Sequence, residues 1–281
     1  MIKGKGIVID TRVERHYSVS GLLEIILNAL AEEGKDCANI TPSDLAAVDA
    51  FHTRGRQATI ELASLAQIKP GLHVLDVGCG IGGSVRYLAS EYGCQATGID
   101  LTREYIDVAT ALTKRVGLEN AVTLHCGSAL ALPFGDTSFD VVWTEHAQMN
   151  VHDKVHFYRE ISRVLKSSGT FVFHDLFQGA EGAPHYPVPW AEQSSLSFLA
   201  SPETIRNLLE GTGFEILHWR DVTPDAIAWF DSVIDRIGQG TTSALGVHLL
   251  MGETAQKKFM NQMKNLRENR IVVLQAVLRK P

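Results

Sequence analysis

Val74-Leu75-Asp76-Val77-Gly78-Cys79-Gly80-Ile81-Gly82-Gly83 is an apolar run that empties into a glycine-rich turn. The run reads as a buried strand over 73–77, with Asp76 delivered just before the turn. A helix running to about Glu91 follows. The glycines let the backbone bend sharply and let a ligand press against it with no Cβ atoms in the way. Gly78, Gly80 and Gly83 also satisfy Gly-x-Gly-x-x-Gly, a spacing found in dinucleotide sites and weak when it stands alone. A glycine-rich turn without any ligand is the bland alternative. The neighbouring segments decide between these readings.

Working outward, short apolar runs alternate with amphipathic ones, as in βαβ units around a parallel sheet. Strands are predicted over 95–99, 121–125, 139–144, 169–175, 214–218 and 271–278, with helices over 103–116 and 154–165. Ser201-Pro202-Glu203 starts a further helix, with Ser201 as N-cap and Pro202 in the first turn, and Gly213 ends it. Segments 21–33 and 45–65 have helical periodicity. The polar stretch 224–268 is too long for an ordinary connection and reads as a helical insertion before the last strand. The expected fold is α/β: a Rossmann-like, doubly wound, seven-stranded sheet, mostly parallel with its last strand antiparallel, carrying N-terminal helices. Residues 1–66 are expected to form a helical cap over the ligand and 67–281 the core, with no internal repeat.

A second acidic residue, Asp100, closes the next strand, 17 positions after Gly83. A carboxylate there accepts from both hydroxyls of a ribose, so it indicates an adenosine ligand, although an Asp at a strand end also caps helices. Thr102 is a second capping candidate. Leu101 follows Asp100 into the same turn.

The stretch from Asp76 to Gly83 resembles motif I of class I S-adenosylmethionine-dependent methyltransferases, which places an acidic residue two positions before the first glycine. Asp76 stands there. A carboxylate so close to a pyrophosphate would oppose it, whereas it favours the amino group of a methionine moiety. His125-Cys126-Gly127-Ser128-Ala129 is the third match; the family usually carries an acidic residue at the position of Ser128, which leaves Ser128 and the Ala129 backbone to meet adenine. Phe139-Asp140-Val141-Val142-Trp143 resembles the strand that ends at the methyl-transfer centre. The resemblance implies S-adenosylmethionine as cofactor and S-adenosylhomocysteine as product, held by Asp76, Gly78, Cys79, Gly80, Asp100, Leu101, Ser128, Ala129 and Glu145.

Methyl transfer requires an aligned nucleophile and, where that nucleophile carries a proton, a base. His146, with an ordinary pKa near working pH, is the first candidate for base or substrate contact. Glu145 is the second, as a catalytic or cofactor-contacting group. His174 and Asp175 end the fifth strand and are expected at the same rim, while His152 reads as a helix start. More closely, Asp49-Ala50-Phe51-His52-Thr53-Arg54-Gly55-Arg56, Gln148-Met149-Asn150 and His185-Tyr186-Pro187-Val188-Pro189-Trp190 resemble the sarcosine/dimethylglycine, phosphoethanolamine and tocopherol methyltransferase group. That resemblance implies a lid containing Tyr17 and a substrate pocket lined by His146, Met149, Tyr186 and Trp190. Aromatic walls suit an ammonium group, through about 0.5–2 kcal/mol of cation–π attraction, and suit a flat quinone or phenol equally. Arg54 and Arg56 are candidates for binding a substrate carboxylate, although helix arginines are more often solvated.

The leading expectation is therefore methyl transfer to a small molecule, first an amine of the glycine, sarcosine or dimethylglycine type. The alternatives are O- or C-methylation of a quinone, phenol or other natural product, or a protein of the same fold that binds the cofactor without methylating. An NAD-dependent oxidoreductase is disfavoured by Asp76 and by the lack of a Tyr-x-x-x-Lys. No Asn-Pro-Pro-Tyr or Asp-Pro-Pro-Tyr follows the fourth strand, which disfavours nucleobase or glutamine amide nitrogens as acceptors. A net charge of −6 argues against a nucleic-acid partner. Cys37, Cys79, Cys94 and Cys126 form no Cys-x-x-Cys pair, so no metal site is expected, and a reducing, cytoplasmic location is. No apolar run approaches the roughly 20 residues of a membrane span. A homodimer is compatible with a chain of this kind.

Overall fold

A computed structural model describes residues 2–240 and 243–281. Seven strands form one sheet: β1 His73–Val77, β2 Gln95–Asp100, β3 Val122–Cys126, β4 Phe139–Glu145, β5 Leu165–Gln178, β6 Glu215–Asp221 and β7 Ile271–Arg279. Their order is β3-β2-β1-β4-β5-β7-β6. The pairs β1–β2, β1–β4, β2–β3 and β4–β5 are parallel, and β7 runs antiparallel to both β5 and β6. This is the expected doubly wound sheet with its last strand reversed. The order reverses between β1 and β4, which opens a crevice at their carboxyl ends.

The sheet is buried on both faces, so its central strands are apolar on successive residues instead of alternating with polar ones. Val74, Val141, Trp143 and Val172 pack on one face, against Leu62 of α4 (Arg56–Leu65) and Leu88 of α5 (Gly83–Tyr92). Leu75, Val142 and Phe171 point to the other face, against Phe157 and Ile161 of α7 (Lys154–Val164) and Leu209 of α8 (Pro202–Gly211). Asp153 caps α7 by accepting from His156 N, so His152 precedes the cap. Ser201 caps α8 through Thr204 N, as its sequence suggests.

The differences from expectation lie at the front of the chain and in β5. The first helix, α1 (Ile2–Tyr17), lies in the N-terminal region expected to be helical, although no periodic run marks it; Gly4 and Gly6 lower its helix propensity. α2 (Leu22–Glu32) falls where predicted. The periodic segment 45–65 is not one helix but two, α3 (Ala46–Asp49) and α4, separated by a turn with left-handed Arg54 (φ 68°) and Gly55 (φ 54°). β5 extends well past the expected 169–175 because its pairing with β7 runs from Thr170 to Gln178. The helix α6 (Arg103–Arg115) lies between β2 and β3. The stretch 224–268 holds α9 (Thr223–Gly238) and α10 (Ala255–Arg267), which pack through Phe230 and Phe259, ring centroids 4.7 Å apart. Among the described residues no helix is long and apolar enough to cross a membrane.

Candidate functional site

A cavity opens at the carboxyl ends of β1, β2, β3 and β4, roofed by α1, the α3–α4 turn, α9 and α10. At one end the glycine turn is held by its own hydrogen bonds. Gly78 N and Cys79 N donate to Ile99 O at 2.8 and 3.1 Å. Gly80 N donates to Asp100 Oδ2 at 2.9 Å and Thr102 N to Asp100 Oδ1 at 2.8 Å, so one carboxylate ties two loops together. Thr102 occupies the N-cap of α6 without a side-chain cap bond. Gly78 has φ 85°, and a Cβ on it would lie 2.5 Å from Ala147 Cβ, which admits only glycine there. Gly83 is required for a different contact: a Cβ there would meet Asp49 O at 2.3 Å.

Asp76 is buried and lines the cavity, and no hydrogen bond from the described residues offsets the burial of its carboxylate. Burial, followed by the charges of Glu145 and Asp100, pushes its pKa well above the usual carboxylate value. Asp100 is pushed up by burial too, against the pull of its backbone donors. Asp10, Asp49, Asp76, Asp100 and Glu145 all line the cavity, and no Lys or Arg does among the described residues. This lining favours a ligand carrying positive charge and opposes a pyrophosphate.

Glu145 does not keep the free carboxylate expected of a catalytic group. It accepts from Ser84 Oγ at 2.5 Å, Trp143 Nε1 at 2.9 Å and Thr59 Oγ1 at 3.0 Å, with His52 Nε2 at 3.4 Å. Those donors satisfy its acceptor capacity and make it the anchor between β4, α4 and α5. His146 follows it with φ 47°. Its ring lies 17° from parallel with that of His174, centroids 5.3 Å apart, and His52 meets both rings edge-on. Thr53 Oγ1 stands 3.1 Å from both His146 Nε2 and His174 Nε2. Burial and the neighbouring rings hold His146 well below the ordinary imidazole pKa, and burial does the same for His174.

His174 and Asp175 do not line the cavity; they lie behind it. Asp175 accepts from the backbone N–H groups of Ala147, Gln148 and Leu176 and thereby fixes the turn after β4. Ser128, Ala129 and Leu101 line the cavity, and Ser128 Oγ donates to Asp10 Oδ2. Tyr17 lines it as well, its hydroxyl donating to Asn150 Oδ1 at 2.7 Å. Met149 and Trp190 form part of the apolar wall, Trp190 donating to Ser197 Oγ at 2.9 Å. Tyr186, expected beside Trp190, is not among the lining residues; it is half-buried and packs against the apolar cluster that contains Trp190. Arg54 is not solvated; it is buried against Glu61 at 2.6 Å. Arg56 donates to Pro42 O. Neither arginine reaches the cavity.

Asp10, His52, Thr53, Ser84, Trp229 and Phe259 are cavity residues that sequence reading passed over. Asp49 to Arg56 carried a family resemblance, which pointed at His52 and Thr53 without giving them roles. Ser84 directly follows Gly83 of the glycine turn; for Asp10, Trp229 and Phe259 no local signal exists, because helices distant in sequence bring them to the sheet.

The family model of the methyltransferase domain matches residues 75–173. The sarcosine/dimethylglycine N-methyltransferase of Halorhodospira halochloris is 31% identical over 60% of this chain and 61% of the relative. The 2-methyl-6-phytyl-1,4-hydroquinone methyltransferase of a Synechocystis strain is 34% identical over 63% of this chain and 58% of its own. The chain thus spans less than two thirds of the length of these relatives. Among solved structures, the [4+2]-cyclase SpnF superposes with a TM-score of 0.67 at 23% identity, covering 92% of this chain and 93% of that one.

Proposed function

We propose, on the match of residues 75–173 to the methyltransferase domain model, that the chain transfers a methyl group from S-adenosylmethionine to a bulky, apolar small molecule that has no anionic group. The cofactor, when bound, supplies an electrophilic methyl on a sulfonium. The acidic, cation-free end of the cavity suits that charge. Asp76, with no protein donor, takes the amino group of the methionine moiety. Asp100, already oriented by Gly80 and Thr102, retains lone pairs for the ribose hydroxyls. Gly78, Cys79 and Leu101 line the path between them, and Ser128 and Ala129 meet the adenine.

The observation that carries the acceptor class is the other half of the lining. Met149, Trp190, Trp229, Phe230, Met251 and Phe259 wall it, with no Lys or Arg among the described lining residues. Glycine, sarcosine or dimethylglycine would bring a carboxylate into this wall with no cation to meet it, and an unpaired buried carboxylate costs several kcal/mol. A phenol, quinol or comparable natural product loses only apolar surface to it. For a hydroxyl acceptor the reaction balances as O–H plus methyl sulfonium giving O–CH3, the thioether S-adenosylhomocysteine and one proton. Residues 1–66 form the cap over this site, a reading supported by Asp10, Val13, Tyr17, His52 and Thr53, which all face the cavity. The four unpaired cysteines suit a reducing compartment, and we read the chain as cytoplasmic.

Two measurements test this. Calorimetric titration with S-adenosylhomocysteine is expected to show binding, and titration with NAD none; the reverse would overturn the cofactor. Release of S-adenosylhomocysteine from S-adenosylmethionine is then followed with sarcosine, dimethylglycine, phenols and quinols. Turnover with the aromatic acceptors supports the reading. Turnover with the amino acids alone overturns it.

A further inference from the structure

Behind His146 lies a polar pair whose hydrogen bonds leave one consistent arrangement of protons. His174 Nε2 is 3.0 Å from Thr53 O, which can only accept, and 3.1 Å from Thr53 Oγ1. His174 Nε2 therefore carries the proton. The opposite tautomer would set two lone pairs 3.0 Å apart and strand an N–H at Nδ1, which is buried with no partner among the described residues. An orphaned buried N–H is the rarer and costlier defect. A doubly protonated ring is opposed by burial. With His174 donating, the Thr53 hydroxyl proton has His146 Nε2, at 3.1 Å, as its remaining acceptor. If His146 Nε2–H donated instead, the hydroxyl proton would have no acceptor among the described residues.

We propose that Thr53 and His174 fix His146 as the Nδ1–H tautomer, so that His146 donates a hydrogen bond to an oxygen of the methyl acceptor instead of removing its proton. This rests on the reading of the cavity as the acceptor site. His146 lines that cavity, and Nδ1 makes no hydrogen bond to the protein among the described residues. The acceptor is therefore one that presents a neutral carbonyl, ether or hydroxyl oxygen beside the atom that is methylated. His52 completes the cluster, its ring 6.0 Å from that of His146 and 5.8 Å from that of His174.

The left-handed backbone at His146 guides the choice of variant, because asparagine tolerates φ 47° and its amide nitrogen can occupy the place of Nδ1. The first test needs no acceptor. Long-range 1H–15N correlation spectra of the S-adenosylhomocysteine complex, with His146 assigned through His146→Asn, are expected to show Nδ1–H. Thr53→Val is expected to change that pattern and Thr53→Ser to restore it. Nε2–H or imidazolium in the unsubstituted protein, or a pattern indifferent to Thr53→Val, overturns the proposal. Calorimetry with S-adenosylhomocysteine reports cofactor binding independently of the His146 tautomer, so failure of the methyltransferase reading is distinguishable. With an acceptor in hand, His146→Ala is expected to raise KM about tenfold, the weight of one hydrogen bond, and His146→Asn to recover most of that loss. An Asn variant whose kcat falls as far as that of the Ala variant would make His146 a base and overturn the donor role.

Discussion

Ser128 Oγ donates a hydrogen bond of 3.0 Å to Asp10 Oδ2, joining the end of β3 to the first helix across 118 residues of chain. The family that this stretch resembles usually carries an acidic residue where Ser128 stands. Here the carboxylate at that end of the cavity comes from α1 instead. Asp10→Ala is expected to weaken S-adenosylhomocysteine binding about three- to tenfold, since one partly exposed charge-assisted hydrogen bond is worth about 1 kcal/mol. Calorimetry measures it. Unchanged affinity would assign Asp10 to holding α1 and nothing more.

Asp100 carries more. Both of its oxygens are oriented by backbone donors, from Gly80 and Thr102, and both have lone pairs to spare. On the proposed reading, Asp100→Ala removes two hydrogen bonds to the ribose and, with the Gly80 and Thr102 bonds gone, loosens the glycine turn at the same time. A loss of S-adenosylhomocysteine affinity of about a hundredfold or more is expected, from two charged hydrogen bonds at about 1.5–3 kcal/mol each. A variant that binds within threefold of the unsubstituted protein would remove Asp100 from the cofactor site.

How much of this was legible in the residues follows from distance along the chain. Asp76, Gly78, Gly80 and Asp100 lie within one strand–turn–helix–strand unit, where period, glycine spacing and strand ends all report on the same small volume. The sheet was legible for the same reason, since each βαβ unit is local. Thr53 and His146 are 93 residues apart and Thr59 and Glu145 are 86, and no periodicity links them. The break between α3 and α4 is the instructive miss. Gly55 inside an apparently helical segment was the available signal, and the turn it permits is what delivers His52 and Thr53 to the site. Tyr186 misled because adjacency to Trp190 in sequence says nothing about which side of the wall a ring takes.

The turn that delivers His52 is clamped at its start by a buried ion pair. Arg86, fully buried on α5, donates to Asp49 Oδ1 at 2.5 Å, and Asp49 O presses on Gly83. Asp49→Ala strands the guanidinium and is expected to cost about 3–5 kcal/mol of stability in urea denaturation. The double variant Asp49→Leu, Arg86→Met removes both charges and is expected to cost less than Asp49→Ala alone. Gly83→Ala, by overpacking against Asp49 O, is expected to cost about 1–3 kcal/mol. Asp49→Ala within 1 kcal/mol of the unsubstituted protein would mean that water reaches Arg86.

The histidine cluster also sets how stability changes with pH. His146 in the folded protein is held well below the ordinary value of 6.5, by burial first and then by His174 and His52. Below pH 6.5 the unfolded chain binds a proton at this ring that the folded chain does not. A depressed imidazole therefore supports stability above pH 6.5 and loses that support as pH falls, with a slope approaching about 1.4 kcal/mol per pH unit. Asp175 acts in the opposite direction: raised to about 6, chiefly by burial, it takes up a proton in the folded state first and adds stability as pH falls through 6. Comparing the unsubstituted protein with His146→Asn cancels the contribution of Asp175 and isolates the ring. The stability difference between the two is expected to shift by about 1 kcal/mol against the unsubstituted protein between pH 7 and pH 5.5, measured by urea denaturation at each pH. A difference that does not change with pH would mean that His146 protonates in the folded protein, and the desolvated environment assigned to the cluster would be wrong.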